Sequence, residues 1–190
     1  MLDSLLTPIH LPKYHKTLAA LLDERGDVAY SKYYFYPYRP FYRKKLYMMR
    51  SLMDKGRIYK NILDFGSGSG IFTTELARYT FMARAWDKAN DKPLDSRARF
   101  ELIVCGSVLE LVDDLDESMA YLRSLSYPGS QLIMASPTDN LMCKAYFKLM
   151  GDTSRRHSPS TILKAINRWF DIVEVKHWAG LYFACKAVRK

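Results

Sequence analysis

The period of the apolar positions changes in a regular order along the chain. Lys16 to Leu22 (KTLAALL) reads as a short helix ending near Gly26. Tyr30 to Phe41 (YSKYYFYPYRPF) is aromatic, interrupted by Pro37 and Pro40, and reads as an ordered loop. Tyr42 to Lys55 places Leu46, Met49, Leu52 and Met53 on one helical face and stops at Gly56. Asn61 to Phe65 is a buried strand, followed by three glycines and a helix over Phe72 to Tyr79. Phe81 to Trp86 is a second strand, closed by Asp87, and Phe100 to Cys105 (FELIVC) a third, apolar throughout as in a parallel sheet covered on both faces.

Asp116 to Leu125 has the amphipathic period of a helix, Tyr127 to Ser130 (YPGS) reads as a turn, and Gln131 to Ala135 as a fourth strand ended by Ser136 and Pro137. A mixed polar segment follows. Ser158 then caps a helix running to Trp169, with Pro159 at its first position. Asp171 to Lys176 and Leu181 to Val188 flank a short turn containing Gly180, which makes a hairpin. Strands alternating with helices predict an α/β fold, a Rossmann-like doubly wound sheet, mostly parallel, with an antiparallel pair at its end. The expected organisation is one domain over 1–190, with 1–58 a helical and aromatic cap or lid and 59–190 the core.

Composition agrees with one domain. The chain has 190 residues, 48% hydrophobic and 26% charged, ordinary values for a globular protein. No apolar run reaches the roughly 18 residues of a membrane-crossing helix, and the N-terminus lacks a secretory pattern, which favours a cytoplasmic protein. The three cysteines are widely spaced and the four histidines form no ligand motif, so no metal site is expected. Charge is uneven. Residues 1–60 carry 12 Lys+Arg against 5 Asp+Glu, 61–143 carry 7 against 12, and 144–190 carry 10 against 3. The acidic middle disfavours a polyanionic ligand there, whereas the basic flanks can face one.

The chemistry centres on ILDFGSGSG, residues 62–70. A phosphate-binding P-loop needs Lys after its last glycine, and Ile71 follows Gly70. The dinucleotide pattern needs a glycine at position 71, which again is Ile71. Asp87 ends the next strand, where an acid bonds ribose hydroxyls in such folds.

These blocks resemble the class I S-adenosylmethionine-dependent methyltransferases. ILDFGSGSG is similar to their acid-and-glycine motif, AWD to their second strand end, FELIVCGSVLELVDD to their third strand and the loop after it, and LRSLSYPGSQLIMASPT to their turn and fourth strand. The VLELVDD block looks most like the branch that modifies small molecules, the so-called type 11 relatives. The resemblance implies S-adenosylmethionine as cofactor. Asp64, Phe65, Gly66, Ser67, Gly68 and Gly70 would hold its methionine part, Asp87 and Lys88 its ribose, and Cys105, Gly106 and Ser107 the loop beside the methyl. Only 12 residues separate Asp87 from Phe100, where the family usually fits a helix and another strand. That stretch is expected to be a loop, leaving Asp91, Leu94 and Asp95 as candidates beside the adenine.

The function expected is methyl transfer to a small-molecule, lipid or sugar-like acceptor. Glu110 and His157 are candidate catalytic groups, and Tyr36, Tyr38 and Arg39 candidate acceptor contacts. Two alternatives stay open: an RNA methyltransferase using the basic, aromatic flanks, because Arg and Lys interleaved with Tyr can pair with phosphate and stack on bases, and a non-catalytic binding protein of the same fold. An NAD-dependent oxidoreductase is opposed by Ile71.

Overall fold

In the computed structural model, which describes residues 9–24, 29–88, 91–149 and 157–190, the continuous apolar runs become adjacent strands. They are β1 (Ile62–Phe65), β2 (Ala83–Trp86), β3 (Phe100–Gly106), β4 (Ser126–Pro137), β5 (Phe170–Trp178) and β6 (Tyr182–Arg189). One sheet holds all six in the order β2-β1-β3-β4-β6-β5. The first four are parallel, β6 runs antiparallel to β4, and the β5–β6 hairpin closes that edge.

Each strand sends alternate residues to opposite faces, and each face carries its own apolar layer. Ile62, Leu102, Ile133 and Ala184 meet one set of helices; Leu63, Ile103, Leu132 and Phe183 meet the other. The first layer is covered by α1 (Lys16–Glu24), α2 (Ala29–Lys32), α3 (Arg39–Ser51), α4 (Ile71–Leu76) and α6 (Leu141–Leu149). The second is covered by α5 (Leu115–Ser124) and α7 (Pro159–Trp169). This is the doubly wound α/β sheet expected.

Differences from the sequence reading have local causes. Tyr30 to Phe41 is not a loop throughout: α2 enters it, and α3 starts at Arg39 with Pro40 in its first turn. Proline lacks the N–H that a first turn cannot use, so Pro40 starts a helix there. Tyr127 to Ser130 is no free turn either, because β4 begins at Ser126, which pairs with Phe100 before the register shifts. Gly129 takes φ +80°, and buried Ser130 pins the irregularity, its Oγ donating to Phe100 O at 2.8 Å and accepting from Tyr127 N at 2.9 Å. The mixed segment after Pro137 contains α6, started by Asn140, whose Oδ1 accepts from Cys143 N at 2.8 Å. Part of the predicted cap, 1–8 and 25–28, lies outside the described residues. Between Asp87 and Phe100 the described residues form neither helix nor strand, as the spacing implied.

Two polar clusters fasten α3 across the sheet. Glu75 of α4, fully buried, pairs with Arg50 at 3.1 Å and accepts from Tyr79 OH at 3.2 Å and His10 N at 3.1 Å. Just beyond the helix, Asp54 accepts from Gln131, Arg57 and Lys186. Burial alone would raise its carboxyl pKa, but these donors hold it down at about 2.

Candidate functional site

The C-terminal ends of β1 and β3 open on a small cavity, walled by α3, α4 and the glycine loop. Its lining includes Tyr33, Lys45, Met49, Asp64, Gly66 and Gly106. Clefts of an open α/β sheet form at this end because loops leave adjacent strands in opposite directions.

The loop after β1 is bare for steric reasons. Gly66 has φ +72°, and a Cβ there would lie 2.2 Å from Val108 Cγ2. Gly68 and Gly70 also take positive φ. The amides of Gly66 and Ser67 donate to Trp86 O, and Gly68 N donates to Asp87 Oδ2 at 3.0 Å. Asp87 thus ties the glycine loop to the end of β2, as well as standing where the sequence places a ribose acid. Its own N–H donates to Asp91 Oδ2 at 2.6 Å.

Asp64 lies at the cavity floor, 4% exposed, with its Oδ2 accepting from Thr73 Oγ1 at 2.6 Å. Burial pushes its pKa up to about 6, against the opposing pull of the Thr73 bond and of the Lys45 charge. Lys45 itself is 5% exposed. Its Nζ donates to Ser107 Oγ at 3.2 Å and stands 5.3 and 5.9 Å from the ring centres of Tyr42 and Tyr33. Ser107 takes φ +64°, an unusual conformation for a residue with a Cβ, and its amide donates to Ala135 O at 2.8 Å.

The sequence candidates divide by position. Asp64, Gly66, Ser67 and Gly106 line the cavity, and Ser107 touches it through Lys45. Phe65 and Cys105 belong to the opposite apolar layer, Phe65 stacked on Trp86 at 4.8 Å, so both offer the cleft only backbone. Burial, with Glu110 and Asp64 nearby, pushes the Cys105 thiol well above its ordinary pKa. Lys88 is exposed, Leu94 is buried in the second layer, and Asp95 accepts from Arg97 N at 2.8 Å in a local turn. Glu110 is buried near Cys105. His157 straps the loop that follows β3: its N–H donates to Glu110 O at 3.3 Å and its Nε2 lies 2.9 Å from Val112 O. Tyr36, Tyr38 and Arg39 are not among the residues that line the cavity; they follow Tyr33, which is, and Arg39 stands over the Tyr36 ring at 5.1 Å.

Lys45, Tyr33 and Met49 were missed from sequence. The available signal was a cation in the apolar stripe of α3, where Lys45, Met48, Met49 and Leu52 recur at helical spacing and are all buried.

A zwitterionic nucleoside cofactor fits this donor set. The cleft offers a buried cation at Lys45 and a buried carboxylate at Asp64, and Asp87, bonded to the glycine loop at Gly68, is an acid that suits hydroxyls. The glycine loop packs its bare backbone against Val108, whose side chain occupies the space where a Cβ at position 66 would stand.

Residues 38–173 match the family described as the methyltransferase domain. No curated protein matches the chain in sequence. Among solved structures, the chain is similar to the N-methyltransferase NodS from Bradyrhizobium japonicum in complex with S-adenosyl-L-homocysteine, with 17% identity, 92% of this chain and 99% of that one covered, and a TM-score of 0.62. It is similar to the 1,6-didemethyltoxoflavin-N1-methyltransferase of Burkholderia thailandensis, with 16% identity, 97% and 94% coverage and a TM-score of 0.58. A third likeness is to an S-adenosylmethionine-dependent methyltransferase from Mesorhizobium loti, at 14% identity, 74% and 95% coverage and a TM-score of 0.56. The chain belongs to the methyltransferase domain family, and its fold is that of the class I S-adenosylmethionine-dependent enzymes.

Proposed function

We propose that this chain is an S-adenosylmethionine-dependent methyltransferase acting on a small acceptor, of lipid or sugar-like kind. The observation that carries the reading is the convergence of Lys45, Asp64 and the glycine loop on one cleft at the strand ends. The small-molecule enzyme from Burkholderia supports the acceptor class by likeness of fold.

The cofactor supplies a methyl group already activated on a sulfonium. The protein's part is then alignment and exclusion of water, with a base required only for acceptors that must lose a proton. Lys45 would pair with the carboxylate of the cofactor, Asp64 would face its ammonium, and Asp87 would take ribose hydroxyls. Cys105, Gly106 and Ser107 present their backbone beside the reacting centre. The described part of 59–190 is the core and that of 1–58 its cover, with Tyr33 on the acceptor side. His157 acts by holding the loop from Ser107 to Val112 in place.

Calorimetric titration with S-adenosylhomocysteine tests this directly. Saturable binding that is weakened in an Asp87→Ala variant is expected; no heat at millimolar ligand defeats the proposal.

A further inference from the structure

The segment that gives the cleft Tyr33, Lys45, Leu46 and Met49 carries charge of one sign. Residues 29–53 contain Lys32, Arg39, Arg43, Lys44, Lys45 and Arg50, and no Asp or Glu. Lys45, Arg50 and Arg43 are held internally, by Ser107, Glu75 and Tyr33 O. Lys32 and Arg39 instead stand over the rings of Tyr38 and Tyr36 at 5.6 and 5.1 Å. Beside them Phe35 is 50% and Tyr36 71% exposed.

The outer face of α6 continues the same chemistry. Cys143 and Phe147 are buried, but Leu141 is 84% and Met142 54% exposed, with Lys144 and Lys148 exposed beside them. Among described residues, α6 carries no acid. Tyr146, on the inner side of the helix, packs on Phe41 of α3 at 4.2 Å between ring centres, which joins α6 to residues 29–53.

We propose that this face, residues 32–39 together with the outer side of α6, docks on an anionic lipid surface. The inference rests on the methyltransferase reading for its purpose, because it would present headgroup-level acceptors to the cleft. A bilayer interface takes Leu, Met, Phe and Tyr into the acyl boundary while Lys and Arg stems snorkel toward phosphates. A nucleic acid accounts for the cations and aromatics but leaves Leu141 and Met142 in water. No described helix is long and apolar enough to cross a membrane, so contact would be peripheral. A nine-residue helix anchors weakly by itself, and the second basic segment, 32–39, supplies the additional attraction that stable attachment requires.

The test is co-sedimentation of the full chain with phosphatidylcholine vesicles, with and without phosphatidylglycerol. Sedimentation with the anionic vesicles only, abolished by high salt, is expected. Each lysine near such a surface is worth about a five-fold change in partitioning, so Lys144→Gln with Lys148→Gln should weaken it roughly 25-fold. Leu141→Ser should weaken it further. Phe81→Ser serves as control, since Phe81 is 85% exposed at the opposite end of the sheet from the cleft, and should change nothing. No sedimentation at low salt, equal loss in Phe81→Ser, or retention of RNA oligonucleotides without vesicle binding overturns the docking proposal. S-adenosylhomocysteine affinity is measured on the same samples: its presence without vesicle binding sinks docking alone, and its absence sinks the functional reading.

Discussion

Lys45 Nζ donates to Ser107 Oγ at 3.2 Å, joining residues 62 positions apart in sequence. The contact bridges the covering helix α3 to the loop after β3, and it holds a nearly inaccessible ammonium in the cavity that Asp64 also lines, where its charge lowers the Asp64 pKa. If that ammonium holds the carboxylate of the cofactor, Lys45→Met should weaken S-adenosylhomocysteine binding by about 10-fold or more, the value of a charge-assisted hydrogen bond. Lys45→Arg should recover part of it. An unchanged dissociation constant in Lys45→Met removes the residue from the binding set.

Asp64 makes a prediction in pH. Its folded pKa of about 6 lies above the ordinary 3.8, so the folded state holds this proton more tightly than the unfolded one. Stability associated with the group is full below about pH 4 and is lost as pH rises through about 6. Asp64→Asn keeps an acceptor for Thr73 and removes the ionisation, so it should match the parent near pH 4 and exceed it above pH 6, by on the order of 3 kcal/mol. Thermal melting across this range reads the difference. A gain independent of pH would contradict the assignment.

Gly66 and Val108 should behave as a coupled pair. In Gly66→Ala the new methyl meets Val108 at 2.2 Å in a left-handed backbone, so both melting temperature and cofactor affinity should fall sharply. Shortening the obstruction with Val108→Ala should restore part of the loss, leaving the backbone strain of about 1 kcal/mol or more. Additive losses in the double variant would show that the close approach is not the cause.

Glu75 is the buried end of an ion pair that also receives the His10 amide. Glu75→Ala removes the carboxylate that Arg50, its side chain 9% exposed, pairs with, and should cost about 3 kcal/mol. The loss should come with earlier proteolytic cleavage in residues 9–24, since the His10 contact goes with it. Chemical denaturation and timed proteolysis measure the two effects separately.

His157 separates support from catalysis. As a strap on the loop after β3, its replacement in His157→Ala should lower kcat/KM by less than about 10-fold and leave the pH–rate profile unchanged. A general base would instead cost about 100-fold or more and remove a limb of that profile.

The sheet and the glycine loop were legible because apolar runs and glycine spacing are local signals. FELIVC has no other good place than a strand covered on both faces, and Gly66, Gly68 and Gly70 declare a backbone that needs positive φ. Lys45 was not legible as a cleft residue, because what distinguishes it is a partner 62 residues away and the Tyr33 ring, which comes from outside its helix. Pro40 and Pro128 misled for one shared reason. Proline and glycine mark interruption, but whether they start a helix, as Pro40 does, or sit in an irregular strand, as Pro128 and Gly129 do, depends on what the neighbouring chain pairs with.

The short connection from Asp87 to Phe100 carries one more consequence. The described residues between Asp87 and Phe100 form turns and bends, with neither helix nor strand. If the adenine of the proposed cofactor lies against this segment, donors bearing bulky groups on that ring should compete with S-adenosylhomocysteine as well as the parent nucleoside does.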